Sequence, residues 1–249
     1  MIERLAKSPL IAALVVLLAG LAGAGATLLW QGRAPALGEQ AKLERVVHDY
    51  ILDHPEILPQ AMRRLEDRRN GATIAASHAD IYSPIGSAWA GNPKGDVTIV
   101  EYFDYNCGFC RASLPTIDAL LKADPGVKIV YRELPVLSDA SKVAARYSIV
   151  AARAGKFAAF HQAMYAGGPI SQQSIDAAVA AAKLPPAQVK AALDDPSLDA
   201  EIDRNYAIAK QLGMTGTPSW VIGDHVTSSA LPLDELKQQI ADARAKARG

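Results

Sequence analysis

Val97-Thr98-Ile99-Val100-Glu101-Tyr102-Phe103-Asp104-Tyr105-Asn106-Cys107-Gly108-Phe109-Cys110 is the stretch that decides how this chain is read. It opens as a β-rich apolar run, closes on the only two cysteines in 249 residues, and leads into a helix-like stretch at 111–122. A Cys-x-x-Cys between strand and helix is a redox-site signature. The first helical turn offers a thiolate unpaired N–H donors and the positive end of the dipole. A structural zinc site needs four ligands, and no second Cys pair or His pair is present to complete one. A purely structural disulfide closing so short a loop would constrain little of the unfolded chain.

Outward from this centre, residues 127–131 (Val-Lys-Ile-Val-Tyr) read as a second strand, with a helix over 110–123 between the two. That is a βαβ unit, so a parallel pair with a right-handed crossover is expected. The pattern is helical from 138 to about 212. Val143, Ala144, Tyr147, Val150 and Ala151 mark one helix, and Phe157, Phe160, His161 and Met164 a second. Strand character returns at Ser219-Trp220-Val221-Ile222, with a weak hairpin return at Val226-Thr227-Ser228 and a closing helix over 233–247. The expected fold class is α/β: a thioredoxin-like fold over 97–249, split by a helical subdomain at about 138–212 and preceded by a helical N-terminal arm.

Upstream, the 26 basic and 26 acidic residues cancel, which gives no sign of a nucleic-acid surface. Residues 9–30 carry no charge and follow Arg4 and Lys7, the arrangement of an export signal. Ala24-Gly25-Ala26 fits a small-x-small cleavage site. The same 22 positions, at about 1.5 Å each, also cover the roughly 30 Å of a bilayer core and end on Trp30. Length favours an uncleaved anchor over a signal peptide within residues 1–30. Either fate puts the body of the chain outside the cytoplasm, where a lone Cys pair can be held oxidised or cycled. After a short linker, residues 38–70 form the arm. Leu43, Val46, Val47, Tyr50 and Ile51 make one apolar stripe, Asp53-His54-Pro55-Glu56 restarts the helix, and Ile57, Leu58, Met62 and Leu65 continue the stripe. Such a face predicts a partner helix. Asn70-Gly71 reads as its end, and 71–96, punctuated by Pro84, Gly86, Gly91, Pro93 and Gly95, as a linker.

Three ordered segments now stand together: Phe103 to Arg111 around the cysteines, Arg132-Glu133-Leu134-Pro135, and Gly216-Thr217-Pro218-Ser219-Trp220. They resemble the DsbA-like family of extracytoplasmic thiol–disulfide oxidoreductases. The arm, with its Asp53-His54-Pro55-Glu56-Ile57-Leu58 core, is similar to the N-terminal extension of the ScsC-like (suppressor of copper sensitivity) subgroup. The resemblance implies that Cys107 is an exposed nucleophile and Cys110 a buried resolving thiol. Their disulfide would then be the redox group, with no further cofactor. Gly108 and Phe109 would tune its redox poise. The peptide before Pro218 would be cis, placing the Thr217 backbone edge beside the sulfurs for a substrate strand to pair with. Glu101 occupies the family position of a buried acid that takes the Cys110 proton through water; a solvated strand-edge Glu is the alternative. Asp104 reads as a loop-capping residue and Pro135 as shaping the turn beside the site. The five histidines, His48, His54, His78, His161 and His225, show no ligand spacing, so none is assigned to metal, and His161 is expected on a helix surface.

The implied activity is thiol–disulfide exchange on exported proteins, served by a membrane redox partner. An oligomeric arm, dimer or trimer, favours isomerase or reductase work; a monomer favours plain dithiol oxidation. A different reading makes the two sulfurs soft ligands for copper(I), although the chain has only four methionines and no Met- or His-rich tract.

Overall fold

The computed structural model describes residues 9–31 and 37–248. Contacts divide the chain into two compact units, residues 1–62 and 63–249. The first contains α1 (Pro9–Gln31), α2 (Leu37–Asp53) and the start of α3 (Ile57–Ala76). Pro55, which has no N–H to give, sits in the break between α2 and α3. The chain bridges the break with hydrogen bonds from His54 N–H to the Tyr50 carbonyl, 3.0 Å, and from Ile57 N–H to the His54 carbonyl, 3.1 Å. Leu43, Val46, Val47, Tyr50, Leu58 and Met62 are all exposed, so among the described residues these stripe positions find no cover. Of the two fates open to residues 9–30, the anchor gains no support: among the described residues no helix is long and apolar enough to cross a membrane. From Ala19 to Ala26 the run is alanine and glycine except for Leu21, residues that bring little apolar surface each, and the cleavage pattern lies there.

In the second unit the expected linker at 71–96 proves to be largely structured. The α3 helix runs through Asn70-Gly71 to Ala76, α4 (His78–Tyr82) follows, and β1 (Trp89–Gly91) pairs antiparallel with β3 (Val127–Glu133). Gly71 lies inside the helix, not at its end, and comes close to Asp224: a Cβ on it would fall 2.9 Å from Asp224 Oδ2. Ile74 and Ile81 are buried, which holds both helices on the domain. Gly91 has a φ of +85°, and a Cβ would lie 2.4 Å from the Val127 carbonyl oxygen, so this edge strand can approach β3 only as glycine.

The sheet has the order β1-β3-β2-β4-β5, with β2 (Val97–Phe103), β4 (Ser219–Ile222) and β5 (His225–Thr227). β2 lies at its centre, parallel to β3 as the βαβ reading requires and antiparallel to β4. Alternation along β2 sends Ile99 and Phe103 to one face and Val100 and Tyr102 to the other. The first face packs on α5 (Gly108–Ala123), on α6 (Asp139–Arg153) and α7 (Phe157–Ala166), and on α11 (Leu233–Arg248). The second packs on the end of α3, α4 and α10 (Ser197–Gln211). Helices α6 to α10, including α8 (Gln172–Ala181) and α9 (Pro186–Leu193), make up the inserted subdomain. Ser138 starts it by accepting the Ser141 N–H at 3.1 Å.

Candidate active site

β2 delivers the chain to the site. Beyond Phe103 the turn Asp104-Tyr105-Asn106 leads to Cys107, which is the N-cap of α5. Its sulfur accepts the Cys110 N–H at 3.3 Å, so the open end of the helix is aimed at that atom. From the other side the Cys107 thiol donates to the Thr217 carbonyl at 3.0 Å, and the Thr217–Pro218 peptide is cis. Both cysteines are free thiols. Cys107 is less exposed than the resemblance implies, at 6% against 1% for Cys110, because the Thr217 loop covers it. Gly108 beside it is open, with nothing within 4 Å of where a Cβ would sit. Phe109, 69% exposed, presents its ring to solvent between the two sulfurs in sequence.

Glu101 is 2% exposed on the central strand, in register with Tyr131 of β3 and Trp220 of β4, which removes the solvated-edge alternative. By alternation it shares the face of Ile99 and Phe103, the face on which α5 and Cys110 pack. Burial raises its carboxyl to about 8. Burial also pushes the Cys110 thiol far up, and the neighbouring Glu101 charge adds to the push. The pair is thus asymmetric: the Cys107 sulfur meets a helix N-terminus, while Cys110 lies in an apolar layer over a proton-holding acid.

Behind the turn sits a polar and aromatic cluster that the sequence did not reveal. His161 is 5% exposed, not on a helix surface: it stacks on Phe157 at 4.8 Å between ring centroids and meets Phe103 edge-on at 4.9 Å. The Tyr105 hydroxyl lies 2.9 Å from Ser148 Oγ and 3.2 Å from His161 Nδ1. Burial lowers His161 to about 3, so the ring is neutral, and pushes the buried Glu133 carboxyl well up. The spacing of Phe157, His161 and Tyr165, one every four residues, was the available signal for a shared helix face. Asp104, read as a capping residue, does accept the Asn106 N–H at 2.7 Å. Pro135 accepts a hydrogen bond from the Tyr206 hydroxyl in the turn after β3. A cavity of about 410 Å³, lined in part by His78, Tyr82, Val97, Asp224 and Arg244, lies at the start of β2, the opposite end from Cys107. Among the described residues no group of three or more His, Cys, Asp or Glu is placed to hold a metal.

With this geometry in place, comparisons with known proteins give a consistent picture. Residues 98–241 match the family model of the DSBA-like thioredoxin domain, and residues 39–70 that of the copper resistance protein ScsC N-terminal domain. A thioredoxin-like oxidoreductase from Silicibacter pomeroyi is 34% identical, with a TM-score of 0.64 over 67% of this chain and 97% of that one. A periplasmic thioredoxin-like protein from Salmonella enterica serovar Typhimurium is 26% identical, with a TM-score of 0.61 over 68% of this chain and 95% of that one. Disulfide bond formation protein D of Bacillus subtilis (strain 168) is 23% identical over 168 residues, 62% of this chain and 76% of its own.

Proposed function

Because the chain belongs to the DsbA-like thioredoxin-domain family and carries an ScsC-type N-terminal segment, we propose that it is an oligomeric disulfide isomerase and reductase of exported proteins. The observation that carries this reading is the Cys107 sulfur, held between the Cys110 N–H and the Thr217 carbonyl. The Cys107 thiolate attacks a client disulfide. One Cys107–client S–S bond forms, the client S–S bond breaks, and the departing client sulfur leaves as a thiolate that takes up a proton. Cys110 then passes its proton through water to Glu101 in its ionised form and attacks the Cys107 sulfur. The client thiol is released and the Cys107–Cys110 disulfide remains. Run in reverse, the same steps oxidise a client dithiol. In the isomerase mode the client's own thiol displaces Cys107, and no net electrons pass. The Thr217 edge pairs with the client strand, and Gly108 and Phe109 shape what reaches the sulfur.

The exposed stripe on α2 and the first part of α3 joins two or three copies, setting several sites around one client. The charged start and apolar run of residues 1–30 support residence outside the cytoplasm, where a membrane protein would re-reduce the pair. A second reading, copper(I) held between the two sulfurs, is favoured by the copper-resistance segment matched at 39–70. Insulin reduction and refolding of scrambled ribonuclease, set beside copper titration of the reduced protein, separate the readings. Exchange that vanishes in Cys107→Ser and mixed disulfides that accumulate in Cys110→Ser support the first. Tight copper binding with no exchange supports the second.

A further inference from the structure

Asp104 is 1% exposed. Four hydrogen bonds that it accepts converge on the active-site turn. Oδ1 accepts the Asn106 N–H at 2.7 Å, and Oδ2 accepts the Leu137 N–H at 2.9 Å, in the loop after β3. Its carbonyl accepts the Cys107 N–H at 3.0 Å and the Tyr165 hydroxyl, from α7, at 3.1 Å. We infer that Asp104 is a positioning residue that brackets the thiols and thereby sets the balance between dithiol and disulfide, an inference that rests on the exchange reading above.

The choice of residue follows from the donors. Two backbone N–H groups, from opposite sides of the turn, need two acceptor oxygens on one short side chain. Asparagine supplies one such oxygen and turns an NH₂ toward the second donor. Alanine supplies none. The Asp104 backbone faces both cysteines, since its carbonyl takes the Cys107 N–H while its own amide opposes the upward push on the Cys110 thiol. The carboxylate fixes that peptide to the turn and to the β3 loop, and Tyr165 fixes it to the inserted helices. These are the bonds of the free dithiol. A disulfide would hold the same turn by covalent ring closure, so loosening the clamp costs the dithiol more than the disulfide.

The test is the equilibrium constant of full-length wild type, Asp104→Asn and Tyr165→Phe against a reduced and oxidised glutathione buffer, with thermal unfolding of the dithiol and disulfide forms of each. Asp104→Asn is expected to shift the constant toward disulfide by roughly tenfold, the weight of one hydrogen bond of this kind. Tyr165→Phe, which keeps the ring and loses only the hydroxyl, is expected to shift it the same way by roughly threefold. The dithiol form should lose more thermal stability than the disulfide form. A purely structural residue would lower both forms alike and leave the constant unmoved. Constants within twofold of wild type in both variants, or a shift toward dithiol, overturn the inference. If Asp104→Asn fails to fold, Tyr165→Phe decides alone. A wild type that does not equilibrate with glutathione sinks the exchange reading itself, whereas an exchanging wild type with unmoved variants sinks only the role of Asp104.

Discussion

Glu101→Gln should make this protein more stable and less active at once. Glu101 lies on the central strand between Tyr131 and Trp220, and burial raises its carboxyl from 4.5 to about 8. In the unfolded chain the group loses its proton above about pH 4.5, while in the folded chain it keeps it until about pH 8. Between those values the folded state binds more protons, so stability falls as pH rises through the window. Below pH 4.5 there is no cost. Above pH 8 the full cost is present, on the order of 5 kcal/mol at about 1.36 kcal/mol per pH unit. Glutamine has the same shape and no charge to desolvate. Urea unfolding of the dithiol forms should therefore show the two proteins alike near pH 4 and Glu101→Gln ahead by several kcal/mol near pH 8.5. The same variant removes the carboxylate that, once ionised, accepts the Cys110 proton, so near pH 8, where that form is populated, release of mixed disulfides should slow by roughly a hundredfold. Parallel stability curves across that range would refute the buried-acid reasoning. Faster unfolding together with undiminished exchange would refute it as well.

His161 titrates in the opposite sense: burial lowers it to about 3, so the stability it leaves intact at neutral pH is lost as pH falls from 6.5 toward 3. His161→Phe, entering a ring cluster of Phe103, Tyr131 and Phe157, should move the acid-unfolding midpoint to lower pH, and an unmoved midpoint would count against it. On the proposed oligomeric isomerase reading, the full chain runs as a dimer or trimer, and deleting residues 34–62 should yield a folded monomer that keeps dithiol chemistry without isomerase activity on multi-disulfide clients. Light scattering of a monomer with the arm intact would move the reading to a simple oxidase. Each large stripe side chain would contribute about 1.5–3 kcal/mol if fully buried between copies. The cut stops at Met62 because Asp67 pairs with His225 at 2.8 Å and Gly71 meets Asp224, so longer truncation would damage the domain. Phe109→Ala should weaken client capture while changing stability by less than about 0.5 kcal/mol, since its ring is exposed; unchanged client KM would show the ring plays no part in recognition.

The local patterns carried far. The apolar run at 97–103, the Cys pair at its end and the Ser219-Trp220-Val221-Ile222 strand were legible because strand period, thiol spacing and proline position are written within a few neighbouring residues. The helices of the insert were legible for the same reason. What the sequence misjudged was decided by partners far along the chain. Asn70-Gly71 looked like a stop, but the helix continues to Ala76 and buries Ile74 against the domain. Trp89-Ala90-Gly91 is too short to show alternation and becomes a strand only through β3. His161 looked like surface until Phe103 and Tyr131 closed around it. Cys107 looked exposed until the Thr217 loop covered it, and Glu101 could be an edge residue until β4 paired on one side and β3 on the other. Burial, and with it the proton affinity of Glu101, Cys110 and His161, is a sum over neighbours that one-dimensional spacing does not contain, so those properties exist only once the sheet and its helices have closed.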